Sequence, residues 1–333
     1  MILITGATGH IGNVLVKKLY ETGEKIRIFV LPDEDISIFN NMDMDIVYGD
    51  IRNKDDVLKA TEGVNKIFHL AAIISILPWK NEKVYSVNIG GVENILNAMK
   101  FHNIKDLIYV SSVHAFAEIE RGATIDEETP ISPKLTTGAY GKSKAIATQK
   151  VIEAGEKGEI NYKILFPSGV IGPYDYKLSE IGKVIKDFLD GKIRYCVDGV
   201  FDFVDVRDVV DGIIAASKLN KKNEKFILSG ENISMRRFFK YLNSITEKNE
   251  KIKFISPVNS YIISYGSVLH HLFSNKNLIF SPYTVHTLTG YYKFSSEKAK
   301  KILHYNPRSI YTSLKDTINW INNYYILKNK VAL

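Results

Sequence analysis

Tyr140 and Lys144 stand four residues apart in Ala139-Tyr140-Gly141-Lys142-Ser143-Lys144. The segment from Tyr140 to Lys150 lacks proline and is rich in helix formers, so it predicts a helix on which positions i and i+4 share one face. A phenol titrating near ~10 can donate or accept a proton near neutrality when an adjacent ammonium favours its phenolate. Alone, the same spacing also fits a solvated helix face. Upstream, Asp106–Val110 reads as a strand running into Ser111-Ser112-Val113-His114. A hydroxyl at a strand's carboxyl end is aimed into a crevice, where Ser112 could hydrogen-bond a substrate oxygen; a lone serine there also serves as a turn cap.

These groups need a scaffold, and the first residues of the chain describe it. Met1–Thr5 is an apolar run too short for a helix, and it reads as a buried strand. Gly6-Ala7-Thr8-Gly9-His10-Ile11-Gly12 follows, then Asn13–Glu21 with helical spacing and Gly23 as its stop. Strand, glycine turn and helix in that order are the setting in which a glycine-rich motif binds a dinucleotide. The glycines allow close backbone approach, and the helix N-terminus offers free N–H groups to a pyrophosphate. The spacing is G-x-x-G-x-x-G, not the general G-x-G-x-x-G.

Lys25–Leu31 forms a second strand, followed by Leu31-Pro32-Asp33-Glu34-Asp35. An acid about 20 residues past the glycines accepts from the ribose 2′-hydroxyl of NAD, whereas an NADP site supplies arginine. Asp33 is therefore the candidate, and NAD is favoured over NADP. Ile46–Tyr48 with Gly49-Asp50-Ile51-Arg52 makes a third strand, Asp55–Glu62 a helix and Lys66–Ala72 a fourth strand. Such alternation predicts an α/β fold, a Rossmann-type doubly wound parallel sheet whose ligands sit beyond the carboxyl ends of the strands. Asp50 and Ile51 would then lie over the adenine, and Ala71 and Ala72 beside the pyrophosphate. His69, inside an apolar strand, reads as a satisfied core histidine. Ile73–Trp79 suits a loop bordering a pocket.

With the glycine turn, Ser112, Tyr140 and Lys144 in this order, the chain resembles the extended short-chain dehydrogenase/reductase superfamily, also called the NAD-dependent epimerase/dehydratase family. Gly49-Asp50-Ile51-Arg52, His69-Leu70-Ala71-Ala72, Val110-Ser111-Ser112 and Phe203-Val204-Asp205-Val206-Arg207-Asp208-Val209 match its motifs too. The resemblance implies that Tyr140 is the acid/base, that Lys144 holds the nicotinamide ribose and lowers the Tyr140 pKa, and that Ser112 orients the reacting oxygen. It places Leu70, Val110 and Asn88 near the cofactor. Nucleotide-sugar epimerases and dehydratases carry Arg and Asn where Phe166 and Gly169 stand. The run Pro167-Ser168-Gly169-Val170-Ile171-Gly172-Pro173 instead resembles the dihydroflavonol reductase branch, in which the Pro167–Val170 backbone approaches the nicotinamide. That branch often has Arg near Leu31 for NADP, so Leu31 is a departure.

The expected organisation is a cofactor domain over 1–172, rejoined by 201–230, with a smaller substrate lobe and closing helices from 173–200 and 231–333. Asp205 and Arg207 read as structural links between the two. From Ile255 to Leu288 the chain is apolar, aromatic and free of acids. Its readings are lobe core, apolar substrate pocket or membrane-surface contact, with core favoured. His270 and His271 lack spaced partner ligands, so no metal is expected. A net charge of +7 spread over scattered lysines reads as a solvated surface, not a nucleic-acid site. One cysteine, Cys196, and no run long and apolar enough to span a bilayer lead to the expectation of a reduced, cytoplasmic protein. A homodimer through the helices bearing Tyr140 and following Asn88 is carried from the resemblance. The favoured function is an NAD(P)-dependent oxidoreductase of a small, apolar carbonyl or alcohol compound; the competing readings are a nucleotide-sugar epimerase/dehydratase and a cofactor-binding protein without chemistry.

Overall fold

The computed structural model describes residues 1–75, 81–274 and 281–331, and side chains in 269–274 and 325–331 lie outside that description. Seven parallel strands form the main sheet, in the spatial order 224–228, 161–167, 106–110, 66–69, 2–5, 26–30 and 45–48. The order reverses between Ile2–Thr5 and Lys66–His69, where the chain winds away in both directions. A crevice opens at such a point beyond the carboxyl ends of the strands. The sheet is buried on both sides. Leu3, Ile67, Leu107 and Ile164 belong to one apolar cluster, and Ile4, Phe68, Ile108 and Leu165 to the other, as side chains alternate along each strand.

The fourth predicted strand is shorter than its apolar run, ending at His69. Leu70–Ala72 leave the ladder as a half-buried edge of the crevice. Phe201–Asp205 lies in a second sheet, with Val200–Asp205 paired to Gly169–Ile171 on one side and Glu231–Ser234 on the other. The chain re-enters the large sheet only at Glu224–Leu228. A third apolar cluster, including Ile185, Phe203, Phe238 and Leu314, forms the core beneath this second sheet.

The two regions are joined by buried charge. Asp205 is 1% exposed, caps the helix Val206–Ser217 and accepts from Arg207 Nη2 at 2.8 Å and Arg308 Nη1 at 3.2 Å. Arg207 also reaches Asp316 at 2.7 Å, and Arg308 reaches Asp208 at 2.9 Å. Asp205 and Arg207 thus link the second sheet to the C-terminal helices through Arg308 and Asp316. Of the stretch Ile73–Trp79, residues 76–80 lie outside the described residues, as do the side chains of His270 and His271.

Candidate active site

The glycine turn is shaped by steric necessity. Gly6 has φ +71°, and a Cβ there would lie 2.7 Å from the backbone nitrogen of Ala71. A Cβ on Gly12 would lie 2.0 Å from the Gly6 carbonyl oxygen. Only glycine lets this turn close on the neighbouring strand and lets the helix His10–Glu21 begin so near it. Thr5 Oγ1 accepts from the Ala71 N–H at 3.2 Å and bonds His69 Nδ1 at 2.7 Å, pinning both sides of the crevice. His69 is therefore a core residue, its pKa driven down to about 3 by burial and next by the Lys144 charge.

That helix has no side-chain cap at Gly9. An uncapped helix N-terminus of this kind, with its dipole, is suited to an anion such as a diphosphate. His10 and Asn13 face elsewhere than a sequence motif shows: His10 Nε2 donates to Pro173 O at 2.9 Å, and Asn13 Nδ2 donates to Gly9 O at 2.8 Å and Tyr174 O at 3.1 Å. They tie the turn to the segment leading into the smaller lobe. Ile11 is half-buried against the second apolar cluster.

After the second strand, Asp33 is exposed, and the acid that meets the glycine turn is its neighbour Glu34, hydrogen-bonded by the Thr8 hydroxyl. Lys177, from the loop after Pro173, donates to Thr8 Oγ1 at 2.8 Å and to Glu34 at 2.9 Å. One residue of register separates Asp33 from Glu34, and a loop's register is not readable from spacing. Asp50, past the end of the third strand, has its carboxylate bound by Arg52, whose guanidinium holds its pKa below the usual range. Ile51 turns inward, 7% exposed, and its carbonyl accepts from Asn94 at 2.9 Å. Ile51 packs within the first apolar cluster.

The chemistry-bearing groups converge at the end of Asp106–Val110. Tyr140 and Lys144 lie on the helix Ala139–Glu156, at 8% and 2% exposure, and Ser112 is 6% exposed at the strand's end. Lys144 Nζ donates to Val110 O at 2.8 Å and to the Tyr109 hydroxyl at 3.3 Å. Burial pushes Tyr140 up to about 12, partly offset by its hydrogen bond with Ser112. Burial pulls Lys144 down to about 7. Burial disfavours the charged form of both groups, and the amine is held by Tyr109 and Val110.

Asn88 is 2% exposed, and its side chain is fully engaged by protein groups. It accepts from Ile73 N at 2.8 Å and donates to Ile73 O at 3.0 Å and Ser143 Oγ at 2.9 Å. Asn88 therefore clamps the crevice loop to the Tyr140 helix, a positioning role. Opposite Tyr140, Pro167–Val170 runs between two sheets. Ser168 is buried there, and a hydrogen bond from it to Asp202 partly offsets the effect of burial on that carboxyl. Gly169 leaves room for the Phe201 ring, which a Cβ would approach to 2.5 Å.

Beyond Tyr140 lies a pocket that motif reading missed, walled by Val113, Phe116, Ile125, Phe201, Tyr283 and Phe294. Its polar members include His114, Glu118, Asp202 and His286. The His114 ring lies 6.1 Å from Tyr140 and 6.0 Å from both Phe201 and Tyr283. Burial pulls His114 down to about 4 and pushes Asp202 up to about 6. His286 Nε2 lies 2.9 Å from Glu118 Oε2, and that hydrogen bond raises the His286 pKa. The signal was in the apolar stretch from Ile255 to Leu288, part of which lines this pocket.

Residues 2–228 match the model of the NAD dependent epimerase/dehydratase family, and the chain belongs to that family. It is an enzyme of the extended short-chain dehydrogenase/reductase type with NAD as cofactor. It is 27% identical to sterol demethylase protein B of Methylococcus capsulatus, over 96% of this chain and 97% of that protein. A putative dihydroflavonol 4-reductase of Synechocystis is 29% identical over 98% of this chain and 96% of its own length. The crystal structure of gox2253 superposes with a TM-score of 0.85 at 29% identity, covering 97% of this chain and 98% of that one. Among the described residues no group of three His, Cys, Asp or Glu could hold a metal ion, and no helix is long and apolar enough to cross a membrane.

Proposed function

We propose that the protein interconverts a secondary alcohol and a ketone on a small, apolar, ring-bearing molecule, with Tyr140 moving the proton. One observation carries this reading. Buried Ser112, Tyr140 and Lys144 meet at one strand end, next to a pocket walled by aromatic side chains. The relatives named for a sterol and for a dihydroflavonol both act, by name, on apolar ring systems. Against a nucleotide sugar, Phe166 is fully buried with its ring 4.6 Å from Phe116, so it belongs to the core.

Bound NAD would supply the hydride acceptor for the alcohol carbon, or as NADH the hydride donor for the carbonyl carbon. The turn Gly6–Gly12 would hold its diphosphate, Glu34 its adenosine ribose and Lys144 its nicotinamide ribose. Tyr140 takes the alcohol proton as a phenolate in oxidation and gives a proton to the developing alkoxide in reduction. Ser112 fixes that oxygen within reach of Tyr140. The Pro167–Val170 wall and the aromatic pocket exclude water from the reacting pair.

Tyr140→Phe removes the transferable proton and keeps the ring. Turnover, followed by NADH absorbance across a panel of cyclic ketones, is expected to fall about 10²- to 10⁴-fold while NADH binding is unchanged. Near-normal turnover in the variant would overturn the mechanism.

A further inference from the structure

Tyr283 is the one pocket residue whose hydroxyl has no evident structural purpose. It is 7% exposed, its oxygen is buried, and no described group hydrogen-bonds it. Buried tyrosine hydroxyls normally find a partner, because leaving one unmade costs about 1–3 kcal/mol. A phenylalanine would fill the same space without that cost.

The ring is nevertheless seated with care. Gly138 has φ +78°, two residues before Tyr140, and a Cβ there would lie 2.5 Å from two Tyr283 ring carbons. Glycine at 138 both permits the left-handed turn into the Tyr140 helix and admits the Tyr283 ring from the other region of the chain. The His114 ring lies about equally far from both tyrosine rings, 6.0 Å from Tyr283 and 6.1 Å from Tyr140. The two phenols are close enough that charge on Tyr140 raises the Tyr283 pKa, after the larger effect of burial. Around them the walls are apolar, Phe116, Phe201 and Phe294 among them.

We propose that Tyr283 is a specificity residue whose hydroxyl donates to a second oxygen of the substrate, a few bonds from the carbon that exchanges hydride. The preferred substrates are then apolar, ring-bearing ketones or alcohols with a neighbouring acceptor such as an ester, carboxylate or second carbonyl. A plain ketone of the same size leaves the hydroxyl unpaired and binds more weakly. Discrimination of this kind exceeds what one methylene can supply, since an unmet buried donor penalises the wrong ligand.

The substrate arm of this inference rests on the oxidoreductase reading, so the test has an arm that does not. Tyr283→Phe is compared with the wild-type protein in the absence of substrate. Its melting temperature is expected to rise by about 1–3 °C, because an unpaired buried hydroxyl is removed. A fall shows that the hydroxyl serves the fold and overturns the inference. Both proteins are then assayed with NADH and either acetophenone or ethyl benzoylacetate, which adds an ester two bonds from the ketone. The ratio of kcat/KM for the ketoester over acetophenone is expected to drop at least ~10-fold in the variant. The ester's intrinsic activation is common to both proteins, so an unchanged ratio overturns the inference. If the wild-type protein reduces neither probe, the oxidoreductase reading fails, and the melting temperatures alone decide the role of the hydroxyl.

Discussion

The two sides of the crevice are built in opposite ways. On the cofactor side, the groups that matter lie in short contiguous runs: Gly6–Gly12, Leu70–Ala72 and Ala139–Lys144. Some polar atoms beside these runs meet protein neighbours, as with Thr5 and Ala71, Asn88 and Ile73, or Lys144 and Val110, while His10 Nδ1, Asn13 Oδ1 and His69 Nε2 are buried without a partner among the described residues. On the substrate side, His114, Asp202, Tyr283 and His286 come from distant parts of the chain, and the Tyr283 hydroxyl is unpaired among the described residues. The difference is one of chain distance. A site for a constant ligand is carried by short local runs, and a site that selects among ligands is assembled from remote ones.

If this contrast is real, damage on one side should spare the other. Gly12→Ala is the severest case, because the added methyl lies 2.0 Å from the Gly6 carbonyl oxygen. NADH affinity, read by fluorescence, is expected to fall by at least ~100-fold, the equivalent of about 2.7 kcal/mol. Retention of normal affinity would show that the turn does not carry the diphosphate.

The pH dependence sharpens the comparison, since both catalytic groups are buried. A tyrosine raised to about 12 is a neutral acid at physiological pH, ready to donate in reduction, while its phenolate is scarce. Alcohol oxidation should therefore accelerate about tenfold per pH unit between roughly pH 7 and 9, whereas reduction stays level over that range. An oxidation rate already flat at pH 7 would mean that bound coenzyme brings Lys144 and Tyr140 into the coupling the family resemblance implies.

The smallest expected effect concerns the ribose end, where Lys177 crosses from beyond Pro173 to Thr8 and Glu34. Glu34→Gln removes the charge that faces a ribose and would repel a 2′-phosphate. NADH affinity should weaken a few-fold while NADPH affinity improves, narrowing the preference by about tenfold, or ~1.4 kcal/mol. Asp33→Asn should change neither. An effect at Asp33 with none at Glu34 would restore the reading from spacing.

Much of the fold was legible because its signals are local. The strand Asp106–Val110 has the predicted bounds, and the helix bearing Tyr140 begins one residue before the predicted start and runs on to Glu156. Glycine spacing, apolar runs and the tyrosine–lysine step each act within a few residues, so the chain order alone displays them. Ser112, Tyr140 and Lys144 were named on that basis, and the fold brings them together at one strand end. Lys66–Ala72 was read too long because apolar character persists to Ile74, while the ladder stops at His69.

What the sequence determined by itself is the doubly wound sheet, the glycine turn and the helix that carries Tyr140 and Lys144, since each depends on periodicity or on what glycine alone permits. Only the tertiary structure decided that Glu34 meets Thr8 and Lys177, that Asn88 is a clamp, that Lys144 is held by Tyr109 and Val110, and that Gly138 seats the ring of Tyr283. Those facts rest on contacts between residues tens to more than a hundred positions apart. Burial and close approach at that separation are properties of packing, and no local pattern encodes them.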